Sequence, residues 1–217
     1  MTRREPAQAR SRATREAVLD AASRLADRTG GGPGASMQVG QIAAEAGVAV
    51  GTLYQYFTGV DDVIDAVVRR HLERFRELIV QTFDNASIAT AADASVAVVD
   101  AFVDYYRVQP GFRSIWFGMG HASRLRGLEV ANHEILSAVM YDELTSRGLM
   151  PDSSVARIIT ITNWELADSL VGLAFRRDPN GDEATLVYAR HLISLASQPT
   201  LEVIVAIAEA LPSTDQG

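Results

Sequence analysis

Residues 49–57 read Ala49-Val50-Gly51-Thr52-Leu53-Tyr54-Gln55-Tyr56-Phe57. Thr52, Tyr54, Gln55 and Tyr56 gather uncharged donors and acceptors in one short stretch. That chemistry suits phosphate oxygens and base edges better than bond breaking. The Gln55 amide can pair bidentately with adenine, and the Tyr54 and Tyr56 hydroxyls can reach phosphates. Ala49 or Val50 can touch a thymine methyl, and Gly51 leaves room for close backbone approach. Gln38 and Gln41 upstream add two amides to the same DNA-contacting set. The alternative for both tyrosines is packing against neighbouring helices. Phe57 is assigned to the core.

Other chemistries find little support. The chain has no cysteine, so thiolate metal sites, disulfides and Cys nucleophiles are out. His71, His121, His133 and His191 form no ligand pair at helical spacing and are read as surface or helix-end residues. No nucleophile elbow, phosphate loop or paired-carboxylate site is present, and the glycines of residues 30–34 follow no strand. No enzyme, metal or cofactor is expected.

The 217 residues are 47% hydrophobic and 22% charged, the balance of an ordinary globular protein. Net charge is −7, unhelpful for a nucleic-acid partner, but its distribution is uneven. Residues 1–57 carry seven Arg against five acids, whereas the rest carries thirteen Arg against twenty-two acids. Arg3, Arg4, Arg10, Arg12 and Arg15 crowd the first fifteen residues. A basic head on an acidic body predicts that the head meets an anion. Residues 1–12 are expected to be a flexible basic arm, with Arg12 and Arg15 contacting DNA; an Arg-rich solubility tail is the alternative. The first fifteen residues lack an apolar stretch and are not read as a secretory leader. No apolar run is long enough to span a membrane, so no membrane partner and a cytoplasmic location are expected.

Positioning those groups falls to helices throughout. Apolar periodicity predicts helices over residues 11–28, 39–46, 50–56, 61–83, 90–108, 110–120, 123–147 and 153–177, then 183–211 with a break at Pro199. Strand signals are absent. The fold class is therefore all-α, with nine or ten helices: a three-helix helix-turn-helix domain over residues 13–60 and a helical domain over residues 61–217. Within residues 38–57, Ala43 is small where a second helix must cross, and Gly47 suits the left-handed turn between the two. Ile42, Val48 and Leu53 make the small core that fixes the crossing. A helical hairpin packed inside the fold would show the same spacing.

Residues 14–72, and above all Ile42 to Gly47 and the run Gly51-Thr52-Leu53-Tyr54-x-Tyr56-Phe57, resemble the DNA-binding domain of tetracycline-repressor (TetR) family regulators. The likeness covers about the first third. Three positions depart from the family: Val60 stands where a phosphate-contacting Lys is usual, Gln38 replaces the usual capping Ser or Thr, and the loop over residues 30–35 is longer and richer in glycine. These departures shift phosphate contacts towards the arginines of the arm.

The resemblance implies a homodimer built on a four-helix interface and an effector pocket. One short recognition helix reads too few base pairs for specificity, so two related by a dyad on a pseudopalindromic operator are expected. Val155, Ile158, Ile159, Thr162, Leu166 and Leu170 of one helix, with Leu186, Ala189, Leu192 and Ile193 of the next, are the dimerisation candidates; an intramolecular core is the alternative. Phe102, Tyr105, Tyr106, Phe112, Trp116, Phe117, His121, Met140 and Trp164 are the candidate ligand-binding set, or else ordinary core. The reading is a ligand-responsive DNA-binding repressor of small apolar or aromatic effectors. An effector-independent architectural protein, or a helical carrier that has lost DNA binding, are the alternatives.

Overall fold

The computed structural model describes residues 7–29, 37–85, 87–118 and 123–211, with side chains left aside for residues 7, 85, 118 and 123–131. Arg3, Arg4, the glycine-rich loop and His121 fall outside that description. Ten helices are present among the described residues: α1 (Ala7–Thr29), α2 (Val39–Ala46), α3 (Val50–Leu53), α4 (Val60–Asn85), α5 (Ala91–Val108), α6 (Pro110–Gly118), α7 (Ser123–Ser146), α8 (Ser154–Arg177), α9 (Glu183–Ala196) and α10 (Leu201–Ala210). The described residues are helical with no strand, as the periodicity predicts.

Two boundaries move for physical reasons. Helix α1 starts at Ala7, so Arg10 and Arg12 are helical rather than part of a flexible arm; Ala, Gln and Arg in that turn are good helix formers. Helix α3 ends at Leu53 instead of reaching Tyr56. Beyond it the chain tightens into turns, with Gln55 N–H donating to Thr52 O at 3.1 Å and Tyr56 N–H to Leu53 O at 3.0 Å.

The chain forms two compact units, residues 1–73 with 108–126, and residues 74–107 with 127–217. This differs from the linear division expected at residue 60, because α6 belongs to the first unit. There α6 lies so close to α1 that a Cβ on Gly111 would collide with the carbonyl oxygen of Ser23. Phe112 is fully buried and stacks on buried His71 with ring centroids 4.1 Å apart. Arg70 of α4 reaches Glu16 (3.0 Å) and Asp20 (2.7 Å) of α1. The second unit is centred on Phe75, stacked on Phe102 at 4.4 Å and edge-on to Tyr105 and Tyr106. Within it α8 and α9 pack together through Ile159, Leu186, Ala189 and Ile193.

Gly111→Ala is expected to destabilise the protein by about 1–3 kcal/mol, the usual cost of forcing extra volume into a packed contact. Gly40→Ala, where a Cβ meets open space, is the control. Urea unfolding of both variants checks this, and equal midpoints would remove the close approach as the reason for glycine at 111.

Candidate DNA-reading face and ligand cavity

In the first unit the α2–turn–α3 segment is built around Gly47, whose φ of +69° is the left-handed conformation that glycine adopts without steric cost. Val48 N–H returns to Ala43 O at 3.0 Å and closes the end of α2. Ile42, Ala43, Leu53 and Phe57 are buried beneath the turn. Gln38 does begin α2, and Gln41 supplies the capping acceptor: Gln38 N–H donates to Gln41 Oε1 at 2.9 Å. On α1, Arg24 and Arg28 grip Glu45 of α2 at 2.8 and 2.5 Å. These guanidiniums pull the Glu45 carboxyl down to about 2.

With the apolar side used up by that core, the polar side faces solvent. Tyr54 is 56% exposed; Gln38, Gln41, Ala49, Val50, Gly51 and Gln55 are exposed, and Thr52 and Tyr56 are half-buried. A Cβ at Gly51 would meet nothing, so the fold itself does not demand glycine there. Arg12 and Arg15 are also exposed, and the Arg15 guanidinium lies 5.6 Å from the Phe57 ring centroid. At the start of α4, Asp62 accepts from Thr58 N–H at 2.9 Å.

The second unit holds a cavity between α5, α7, α8 and α9. Phe102, Tyr106, Met140 and Trp164, four of the expected ligand residues, line it. Trp164 meets Phe102 edge-on at 5.4 Å. The other expected members are placed elsewhere. Tyr105 packs against Phe75, while Phe112, Trp116 and Phe117 belong to the first unit, where Phe112 is core and Trp116 lies 5.9 Å from it. Their proximity in sequence to the lining aromatics misleads because Pro110 opens a new helix that packs on α1.

The cavity's polar members were not legible in the sequence. Asn163 Nδ2 donates to Ser197 Oγ at 3.2 Å, and Ser197 Oγ lies 2.9 Å from Ser95 Oγ. Asp168 also lines the wall. Behind it sits His133, 5% exposed although a surface position was expected. Its Nδ1 is 2.8 Å from Glu165 and its Nε2 is 3.5 Å from Asp168 Oδ2, an ion-pair separation too long for a good hydrogen bond. Glu165 and Asp168 are one turn apart on α8, and that interruption of an apolar helix was the available signal. Among the described residues no cluster of three or more His, Asp or Glu is arranged to hold a metal ion.

The expected dimerisation residues divide by burial. Ile159, Leu186, Ala189 and Ile193 are spent inside the protomer, and Ile193 also lines the cavity, so these four are corrected to core. Val155, Leu166, Leu170 and Leu192 are half-buried, and Ile158 and Thr162 are exposed. On α8, α9 and α10 the exposed large apolar side chains that periodicity did not single out are Leu173, Val187, Tyr188, Leu195, Leu201, Val203 and Val205. Among the described residues no single helix is long and apolar enough to cross a membrane.

Residues 18–67 match the family model of bacterial regulatory proteins of the tetR family, and residues 89–195 match that of the tetracyclin repressor-like C-terminal domain. Among solved structures, a TetR-family transcriptional regulator from Streptomyces coelicolor is similar with TM-score 0.65 and 27% identity, over 83% of this chain and 95% of that one. The fatty acid degradation regulator FadR from Bacillus halodurans has TM-score 0.66 and 18% identity, over 86% and 97%. FadR from Bacillus subtilis, in complex with stearoyl-CoA, has TM-score 0.66 and 19% identity, over 84% and 97%. The last two share the fold. No curated protein matches the chain.

Burial opposes an imidazolium at His133, but Asp168 and Glu165 outweigh it and raise the group from 6.5 to about 9. The folded state therefore holds this proton more tightly than the unfolded chain. Its contribution is fully present below about pH 6.5 and is lost as pH rises through about 9, by no more than about 3 kcal/mol. Unfolding free energy of the wild type is expected to fall across that window, and that of His133→Gln to fall less. Parallel declines would remove His133 from the account.

Proposed function

The chain belongs to the tetracycline-repressor family of DNA-binding transcriptional regulators, and on that footing we propose that it is a homodimeric repressor released from a pseudopalindromic operator by a small, largely apolar effector. The observation that carries the DNA half is the polar set of exposed Tyr54 and Gln55 with half-buried Thr52 and Tyr56, above a core of Ile42, Ala43, Leu53 and Phe57. In this reading Gln55 reads a base edge, the two tyrosines, Gln38 and Gln41 fix the register on phosphates, and Ala49 and Val50 meet thymine methyls. Exposed Arg12 and Arg15 add phosphate contacts, replacing the cation missing at Val60.

The cavity supports the effector half against an architectural protein, and the recognition surface supports it against a carrier that has lost DNA binding. An aromatic wall with a few convergent polar groups is how helical proteins bind small molecules. Effector binding in the second unit would act through α4, a single helix whose residues up to Glu73 belong to the first unit. The ligand must prefer one of two arrangements, with a coupling of about 1–3 kcal/mol. Dimerisation is assigned to Ile158, Leu173, Val187, Tyr188 and Leu195, which a lone protomer leaves in water. A cytoplasmic location follows from a partner in the chromosome.

Binding to the DNA upstream of its own gene, measured by electrophoretic shift, tests the function. Gln55→Ala is expected to cost about 1–3 kcal/mol and relax one base position, and Arg12→Ala to weaken all sequences and lower the salt slope by about one. Gly51→Ala should leave stability unchanged yet impair binding. Wild-type protein that shifts no duplex, or Gly51→Ala that binds normally, would count against the recognition surface. Val187→Glu should yield monomers in analytical ultracentrifugation and lose operator affinity; an intact dimer would place the interface elsewhere.

A further inference from the structure

Among the described residues that line the cavity, Asp168 alone carries a formal charge, and no arginine or histidine joins it there. The rest of the wall is aromatic, aliphatic or neutral polar. His133 sits behind Asp168 as the nearest counter-charge, but it is shared with Glu165, which it meets at the shorter distance. Among the described residues two carboxylates share this one imidazole, Glu165 with its side chain 55% exposed and Asp168 on the cavity wall. The imidazole is 95% buried, and its Nε2 finds no hydrogen-bond partner although it stands next to Asp168 Oδ2. The pairing is therefore incomplete.

A carboxylate beside an apolar wall is costly unless something compensates it. Phe102 and Trp164, which meet edge-on, put an aromatic wall beside the carboxylate, and both kinds of group attract cations. Met140 and Met150 add an adaptable, polarisable surface to the lining. Burial, and then the charge of Asp168, push the hydroxyl of buried Tyr106 well above the usual range, so it stays neutral. A carboxylate or phosphate ligand would enter facing Asp168 with no cation in the described wall to meet it.

We propose that the cavity binds hydrophobic organic cations, with the positive group against Asp168 and the apolar body along the wall that Phe102, Trp164 and Met140 share. This rests on the cavity being the effector site. Specificity then comes from repulsion as much as attraction: Asp168 rejects anions of the same shape.

The test uses full-length protein and two matched sets of probes. One set is decyltrimethylammonium, decanol and decanoate, below their micellar concentrations; the other is the trimethylammonium, alcohol and carboxylate of a naphthylmethyl body. Affinities are read by tryptophan fluorescence and calorimetry, and release from DNA by electrophoretic shift. Both cations are expected to bind at least about tenfold more tightly than their matched alcohol and carboxylate. Asp168→Asn should erase that order. His133→Gln, which leaves Asp168 less opposed, should strengthen cation binding severalfold, a direction that damage to the fold would not produce; if Asp168→Asn does not fold, this variant decides. Anions or alcohols that bind as well as cations, cations that fail to bind, an order that survives Asp168→Asn, or no gain in His133→Gln would each overturn the proposal. Where an anion or alcohol binds and releases DNA, the effector-site reading stands and only its charge assignment fails. Where no probe of any charge binds while DNA still does, both fall.

Discussion

The left-handed turn at Gly47 is the constraint on which the rest depends. It lets α2 and α3 follow each other closely enough for Ile42, Ala43, Leu53 and Phe57 to share one small core. Once those side chains are inside, Tyr54 and Gln55, in the turn that follows α3, are left exposed and Thr52 half-buried. Exposure of the polar face is thus a consequence of packing, and the Arg24 and Arg28 grip on Glu45 keeps α2 from rotating it away. A side chain at residue 47 would have to hold an unfavourable φ, and the cost would fall on the angle between the two helices.

The second unit solves a different problem. Its core must be apolar enough to fold yet leave a wall that can discriminate among ligands. Phe75 carries the folding share by packing against Phe102, Tyr105 and Tyr106. In the proposed effector site, discrimination would fall to groups that cost stability when left unmatched: Asp168, the Asn163–Ser197–Ser95 series and the buried His133 behind them. A hydrophobic pocket separates ligands weakly by size alone, whereas a buried charge separates them by sign.

Helices α8 and α9 each carry a buried apolar stripe and an exposed one. Ile159, Leu186, Ala189 and Ile193 fill the protomer, while Ile158, Val187, Tyr188 and Leu195 on the neighbouring stripe remain exposed. Leu201 is 76% exposed, and α10 as a whole contributes nothing to the buried core. Helices apolar over more than one stripe have this property.

The sequence by itself determined the all-helical fold, nearly every helix boundary and the recognition segment, because helical period, glycine and proline act over a few residues and need no distant partner. It also gave the apolar character of α8 and α9. What it left undecided was which apolar stripe turns inward, that Phe112 and Trp116 leave their aromatic neighbours for the first unit, and that His133 finds Glu165 and Asp168 across more than thirty positions. Those outcomes depend on how separate helices meet, and burial and ion pairing between remote segments exist only once the chain has closed on itself.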